Sequence, residues 1–250
     1  YVLLHGTTNS PTQWLEFGGI LYDLGHNVFI PRAPYHGLRS RQVSELAQLT
    51  PSDLRSYADE AVDIGRGLGD ELVLIGISGG GTIAALAAQN RSEIGRTLLG
   101  VPFFGFYGLP DPLSFQIMKL LGRLPDFTLE RPGELRRPWA YRGQSTHGVV
   151  AYLSLAAAVL DGAREGAAPA GKAIFITTAK DKLANNGTTA RLAKMWGRSG
   201  TEVVQFEFPR ELDVAHNSAD PAADPIKRRV FYQKMLALLD EQYRFPSSRE

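Results

Sequence analysis

Short apolar runs alternate along the chain with stretches whose apolar residues recur every three or four positions. Continuous or alternating apolarity predicts strands, and a period near 3.6 predicts helices. The predicted strands are Tyr1–Leu4, Val28–Ile30, Glu71–Ile77, Thr97–Phe104, Ala173–Thr178 and Glu202–Phe208. Leu72 to Ile77 is nearly all apolar, as a central parallel strand covered on both faces should be. Between the strands lie helix signals. Ser10-Pro11-Thr12-Gln13 reads as a helix start, with a Ser cap, Pro at the first position and Gln three residues beyond the cap. Trp14, Phe17, Leu21 and Leu24 give that helix one apolar face, and Gly25 ends it. Thr50-Pro51-Ser52-Asp53 repeats the start, ahead of a stripe of Leu54, Tyr57, Ala58, Ala61, Val62 and Leu68. A small-residue helix follows from Gly79 to Asn90, and others run near Thr188–Arg198 and Pro225–Gln242. Strands alternating with helices predict an α/β fold: a mostly parallel central sheet with helices on both faces.

The rhythm breaks between Gly105 and Gly171, where no convincing strand is found. This stretch is rich in proline and aromatics, with helix-like runs at Phe115–Leu121 and Val149–Leu160. It reads as an inserted helical cap, or lid, over the C-terminal edge of the sheet; a long crossover is the plainer alternative. On this reading residues 1–104 and 172–250 form the core and 105–171 the cap. Phe103, Phe104, Phe106, Tyr107, Phe115, Met118 and their neighbours make the region strongly apolar, which suits a substrate with a hydrophobic acyl or aryl part. Packing a cap onto a body uses the same residue types. Phe103 and Phe104, with His36 from the Pro31–Gly37 loop, are the candidate substrate-lining residues.

Composition narrows the possibilities. Hydrophobic residues make up 44% of the 250, and the formal net charge is +1. That balance carries no nucleic-acid footprint, which would show as a strong basic excess. The clusters Arg136-Arg137 and Lys227-Arg228-Arg229 read as solvated faces. The absence of cysteine excludes disulfides, thiolate metal sites and cysteine nucleophiles. No continuous apolar run approaches the roughly 18 residues of a membrane span, so stable insertion is not expected. No signal peptide is visible, and the cytoplasm is the favoured compartment. The chain opens on an apolar strand at Tyr1 rather than on Met, so an N-terminal piece is expected to be missing, and an export signal could have stood there. Gly76 to Gly81 lacks the lysine of a phosphate-binding loop, and no dinucleotide fingerprint or metal cluster is present, so no cofactor and no metal is expected.

Four placed signals carry chemistry. Gly76-Ile77-Ser78-Gly79-Gly80 fits G-x-S-x-G. Alone the motif is weak; its place after an apolar strand and before a helix makes it specific. A strand turning sharply into a helix leaves the serine strained with its hydroxyl exposed, and the helix points its first amides at the reacting carbonyl. Acyl transfer needs two backbone donors for the oxyanion; Gly79 supplies one, and Thr7, after the strand ending Leu3-Leu4-His5-Gly6, is placed for the other. His5 itself reads as a structural residue that pins its loop. Of five histidines, His216 lies on the loop Pro209–Asn217 after the last strand, where a base must stand to reach Ser78. His26 reads as a surface residue, and His147 lies in the cap. Asp181 follows the strand Ala173–Thr178 at the same sheet edge and is the expected acid that orients the imidazole; Asp213, three residues before His216, is the competitor.

With these residues in hand the sequence resembles a known family. LLHGTTNSPTQW, NVFIPRAPYHGL, LVLIGISGGGTIAA, TAKD and AHNSADP are similar to segments of bacterial α/β-hydrolases of the carboxylesterase and monoacylglycerol-lipase group. The order Ser78, Asp181, His216 is the order of that superfamily. The resemblance covers nearly the whole chain except the cap. It implies an α/β-hydrolase fold and a small-molecule ester substrate cleaved through an acyl-enzyme on Ser78, with Thr7 and Gly79 as the oxyanion hole. An acyltransferase, thioesterase or amidase would use the same residues, and a slow ligand-binding protein on the same fold is the alternative from another class. Two departures stand out. The family usually carries one or two strands before the His-Gly strand. The position after His-Gly is often aromatic, so the smaller Thr7 implies a differently shaped acyl pocket.

Overall fold

Alternation along the strands builds two cores, one on each face of a single sheet. The computed structural model describes residues 1–130, 139–243 and 245. Strands β1 (Val2–Leu4), β2 (Leu72–Ile77), β3 (Ile94–Gly100), β6 (Lys172–Thr178) and β7 (Val203–Phe208) pair in the order β1-β2-β3-β6-β7, all parallel. A short antiparallel ribbon, β4 (Thr128–Glu130) with β5 (Gly143–Ser145), lies apart from it. In β2, Leu72 and Leu74 enter one core while Val73, Ile75 and Ile77 enter the other. Helices α1 (Leu15–Asp23) and α7 (Pro225–Leu238) supply the second core. Helices α2 (Pro51–Arg66), α3 (Gly79–Asn90), α5 (Thr146–Arg164) and α6 (Asn186–Arg198) supply the first, and α4 (Asp111–Leu121) lies on α5. This is the α/β-hydrolase architecture expected from the sequence.

The sheet order places the site. Phe29 bridges to Val2 on the outer side of β1, whereas β2 lies on its inner side. The chain therefore leaves β1 in one direction and β2 in the other, the point at which α/β sheets place their ligand sites. Thr7 and Ser78 stand at the C-terminal ends of these two strands.

Several local expectations are corrected. Val28–Ile30 contributes only the bridge at Phe29. The third sheet strand is Ile94–Gly100 rather than Thr97–Phe104, because Val101 takes a left-handed backbone (φ 39°) and Pro102 follows. Thr50 and Asp53 form a reciprocal cap, but Ser10 makes no side-chain cap bond, and the Gln13 side chain serves Gly6 instead. Leu68 lies beyond the end of α2 and is exposed. The last helix stops at Leu238, where Asp240 turns left-handed two residues on (φ 61°). Residues 105–171 contain the β4–β5 ribbon, where no strand was expected. Within the same stretch α5 is long and apolar enough to cross a membrane, but it packs on α3 and buries Leu153, Leu155, Ala156, Val159 and Leu160 in the first core. The cluster Arg136-Arg137 lies outside the described residues.

Candidate active site

The turn from β2 into α3 is built from glycine because nothing larger fits. A Cβ on Gly76 would stand 2.2 Å from the Gly80 carbonyl oxygen, and one on Gly80 would stand 2.2 Å from that of Leu4. Ser78 sits at the turn with φ 53° and ψ −119°, a conformation costing roughly 1–3 kcal/mol, held only because its surroundings over-determine it. The Ser78 amide donates to Gly100 O (2.9 Å), and its carbonyl accepts from Phe103 N (3.1 Å) and Thr82 N (3.2 Å). Ser78 is left partly exposed at this edge of the sheet.

Two other strand-end loops converge on it. His216 Nε2 lies 2.9 Å from Ser78 Oγ, and His216 Nδ1 lies 2.7 Å from Asp181 Oδ2. The remaining oxygen of Asp181 accepts from the amides of Leu183 (2.8 Å) and Ala184 (2.9 Å). Burial works to raise the Asp181 pKa, but the His216 bond and charge and these two amides outweigh it and hold the carboxyl below its ordinary value. An ionised Asp181 accepts a proton-bearing Nδ1, which leaves Nε2 as an acceptor for the Ser78 hydroxyl. The His216 loop is pinned by Thr178 Oγ1 donating to Val214 O and by Ala215 N donating to Ser218 Oγ (2.8 Å). Asn9 Nδ2 also donates to the buried Asp220 (3.0 Å), tying this loop to the one after β1. The competitor Asp213 faces away on the surface, paired with Lys180 and Lys227.

The loop after β1 is fixed at nearly every polar group. Gly6 N donates to Gln13 Oε1 (2.8 Å), and Gly6 O faces His5 Nδ1 (3.0 Å) and accepts from Asn9 N (3.0 Å). Because the peptide is planar and trans, holding the Gly6 carbonyl aims the Thr7 N–H the opposite way. Thr7 packs on the turn from β2 into α3, the nucleophile elbow: a Cβ on Gly79 would meet Thr7 Cγ2 at 2.4 Å and the Tyr152 ring at 2.8 Å. His36, expected at the substrate, is buried, with Nε2 2.8 Å from Thr7 O and Nδ1 2.7 Å from Pro34 O. It lines a small cavity beside Thr7 together with Leu46, Leu49, Gln144, Val149 and Tyr152. That cavity leaves about 10 Å³ to the centre of a water-sized sphere, room for one water. Phe103 and Phe104 are packed in the first core, and neither lines this cavity. His147 faces the Leu124 carbonyl (2.9 Å) rather than Ser78. Among the described residues no cluster of three or more His, Asp or Glu is arranged to hold a metal ion.

Gln13, Gln144, Tyr152 and the Asn9–Asp220 pair escaped the sequence reading. Gln13 was legible only as a capping residue, Gln144 meets Thr7 across 137 residues, and Asn9 pairs with Asp220 across 211.

The two buried histidines under this loop make stability depend on pH. Burial, helped by the neighbouring His36, pushes His5 down to about 3. Burial also holds His36 below its ordinary value, against the two carbonyls that face it. The unfolded chain takes up protons near the ordinary 6.5 while the folded chain refuses them, so stability is full above pH 6.5 and declines below it, levelling for His5 near pH 3. Urea unfolding at pH 6.5 and pH 5 should show a loss on the order of 2 kcal/mol. A flat profile over that range would mean that both imidazoles charge freely in the folded state.

A sequence profile of the alpha/beta hydrolase family matches residues 1–233, and the chain belongs to that family. Solved structures of similar fold include one from work on two metagenome-derived lipolytic enzymes, LipS and LipT. It shares 18% identity over 96% of this chain and 92% of that one, with a TM-score of 0.70. The monoacylglycerol lipase of Paleococcus ferrophilus shares 17% over 95% and 92%, also at 0.70. A soluble variant of the Saccharomyces cerevisiae monoglyceride lipase shares 13% over 96% and 85%, at 0.73. No curated protein gives a significant match. Membership of the family points to hydrolase chemistry on esters or related bonds; the structural likenesses, at these identities, bear on the fold.

Proposed function

We propose that this α/β hydrolase cleaves carboxylic esters with a hydrophobic acyl or aryl part through an acyl-enzyme on Ser78. One observation carries the reading: a continuous hydrogen-bond path from Ser78 Oγ through His216 to Asp181, made by three side chains on three separate strand-end loops. In the proposed mechanism His216 Nε2 takes the Ser78 proton as Oγ attacks the ester carbonyl. The amides of Thr7 and Gly79, with the N-terminus of α3 behind Gly79, hold the oxyanion. The imidazolium, steadied by Asp181, returns its proton to the leaving alcohol. Water activated by the same nitrogen then cleaves the acyl-enzyme. Within the expected cap 105–171, the segment that carries Gln144, Ser145, Gly148 and Val149 covers the Thr7 side of the site. Leu46, Leu49 and Val149 make the wall beside Thr7 apolar, and because the cavity there holds only one water, an acyl chain entering it has to push these side chains apart.

The test is a p-nitrophenyl ester series of increasing chain length, run with and without a fluorophosphonate. Turnover that the phosphonate abolishes, with one adduct mapped by mass spectrometry to the peptide carrying Ser78, is the expected result. Hydrolysis that persists in the labelled protein, or an adduct on another serine, would dismiss the reading.

A further inference from the structure

Besides the Asn9–Asp220 bond to the His216 loop, the polar groups of the loop after β1 have two kinds of partner. His5, Gln13, Ala33 and His36, all near in sequence, hold it from the hydrolase body. Two more bonds come from far away, from the segment 141–145. Tyr141 N donates to Thr8 O (2.8 Å), and Gln144 Nε2 donates to Thr7 Oγ1 (3.2 Å). We propose that the segment 141–145 is a positioning element for the oxyanion loop, in which Gln144 fixes the Thr7 side chain and through it the aim of the Thr7 amide. This rests on the esterase reading above.

The segment is stiff enough for the task. Leu129 pairs with Gln144 across the β4–β5 ribbon. The next residue, Ser145, caps α5 by accepting from Gly148 N (3.1 Å). Asp126 gathers Ser145 Oγ (2.7 Å), Thr146 Oγ1 (2.9 Å) and His147 N (2.9 Å) on one carboxylate oxygen. The Tyr141 hydroxyl donates to Tyr35 O (2.7 Å) and anchors the other end. Gln144 therefore reaches Thr7 from a fixed base.

The effect on Thr7 is rotameric. With Oγ1 held by Gln144, the methyl group is the part of Thr7 that presses on Gly79. Threonine has two competing χ1 wells, and its rotamer is coupled to its own φ and ψ. Releasing Oγ1 lets the side chain rotate against the elbow and takes the preceding amide with it. A misaimed oxyanion donor loses its grip where charge develops, in the transition state, while the ground-state carbonyl barely notices.

The experiment is a double-mutant cycle on p-nitrophenyl acetate, a substrate too short to probe the Gln144 cavity. Gln144→Leu and Thr7→Val should each lower kcat about ten-fold or more, with KM within about two-fold. The double variant should be no worse than either single one, because both delete the same bond. Thr7→Ser, which keeps the hydroxyl, should retain most of kcat. Thr7→Val tests the bond from the loop side should Gln144→Leu fail to fold. Single variants with unchanged kcat, a rise in KM alone, or losses that multiply in the double variant would overturn the proposal while the esterase reading stands. A wild-type protein that turns over no ester would overturn both.

Discussion

Ser78→Ala should lower kcat on an activated ester by on the order of 10⁶ while leaving the fold and substrate affinity in place. The size follows from what the change removes and what it spares. In the proposed mechanism His216 loses the group whose proton it takes, so Asp181 and His216 have nothing to act through, and the three residues fail as a unit. The backbone is spared. Alanine meets the same left-handed conformation at φ 53° that serine already occupies. The bonds that hold the turn, from Ser78 N to Gly100 O and from Phe103 N to Ser78 O, involve main-chain atoms only. The amides of Thr7 and Gly79 are untouched, so a residual rate of roughly 10³–10⁴ over water is expected from oxyanion binding and orientation. The measurement is initial rate and active-site burst on purified wild type and variant, with circular dichroism to compare the folds. A variant within a factor of ten of wild type would remove Ser78 from the role of nucleophile and with it the acyl-enzyme.

What the sequence made legible about this site follows the range of the signals. Ser78, Asp181 and His216 each end or follow an apolar strand, and parallel strands bring their C-terminal ends to one edge whatever lies between them. Three local patterns therefore sufficed to locate a cluster that spans 138 residues. The supporting shell has no such local mark. Gln13 sits three residues after a serine that looks like a helix cap, and only the three-dimensional path of the loop shows that its side chain takes the Gly6 amide. Gln144 and Tyr152 reach Thr7 and Gly79 from across the chain. The β4–β5 ribbon was invisible for another reason: Thr128, Leu129 and Glu130 are all exposed, so no buried face imposes a period of two. The apolar run in α5 was visible but ambiguous, since a helix that is apolar on most of its surface reads the same in a cap as against α3.

Asp181→Asn should cost on the order of 10⁴ in kcat at neutral pH, with little change in KM, although it alters neither size nor shape. The reason lies in which oxygen is already spoken for. Oδ1 accepts from two backbone amides, Leu183 N and Ala184 N, that cannot turn away. In the variant the single carbonyl oxygen must stay with those donors, so the NH₂ group takes the place of Oδ2 and faces His216 Nδ1. A donor there forces Nδ1 to accept, moves the ring proton to Nε2, and turns the nitrogen that should take the Ser78 proton into one that offers its own. The wild-type carboxylate is protected from the same fate at mild acidity. Its pKa lies below the ordinary carboxylate value, so it stays ionised as pH falls through that range, while the stability it lends declines from the ordinary value downward until the folded carboxyl itself protonates. The control is Asp213→Asn, which removes the competing acid from its surface pair with Lys180 and Lys227 and should change kcat by no more than about two-fold. Steady-state kinetics on the two variants decide between the acids. A large loss in Asp181→Asn with wild-type behaviour in Asp213→Asn fixes Asp181 as the residue that sets the tautomer, and the reverse pattern would require His216 to turn toward Asp213, three residues before it on the same loop, during turnover.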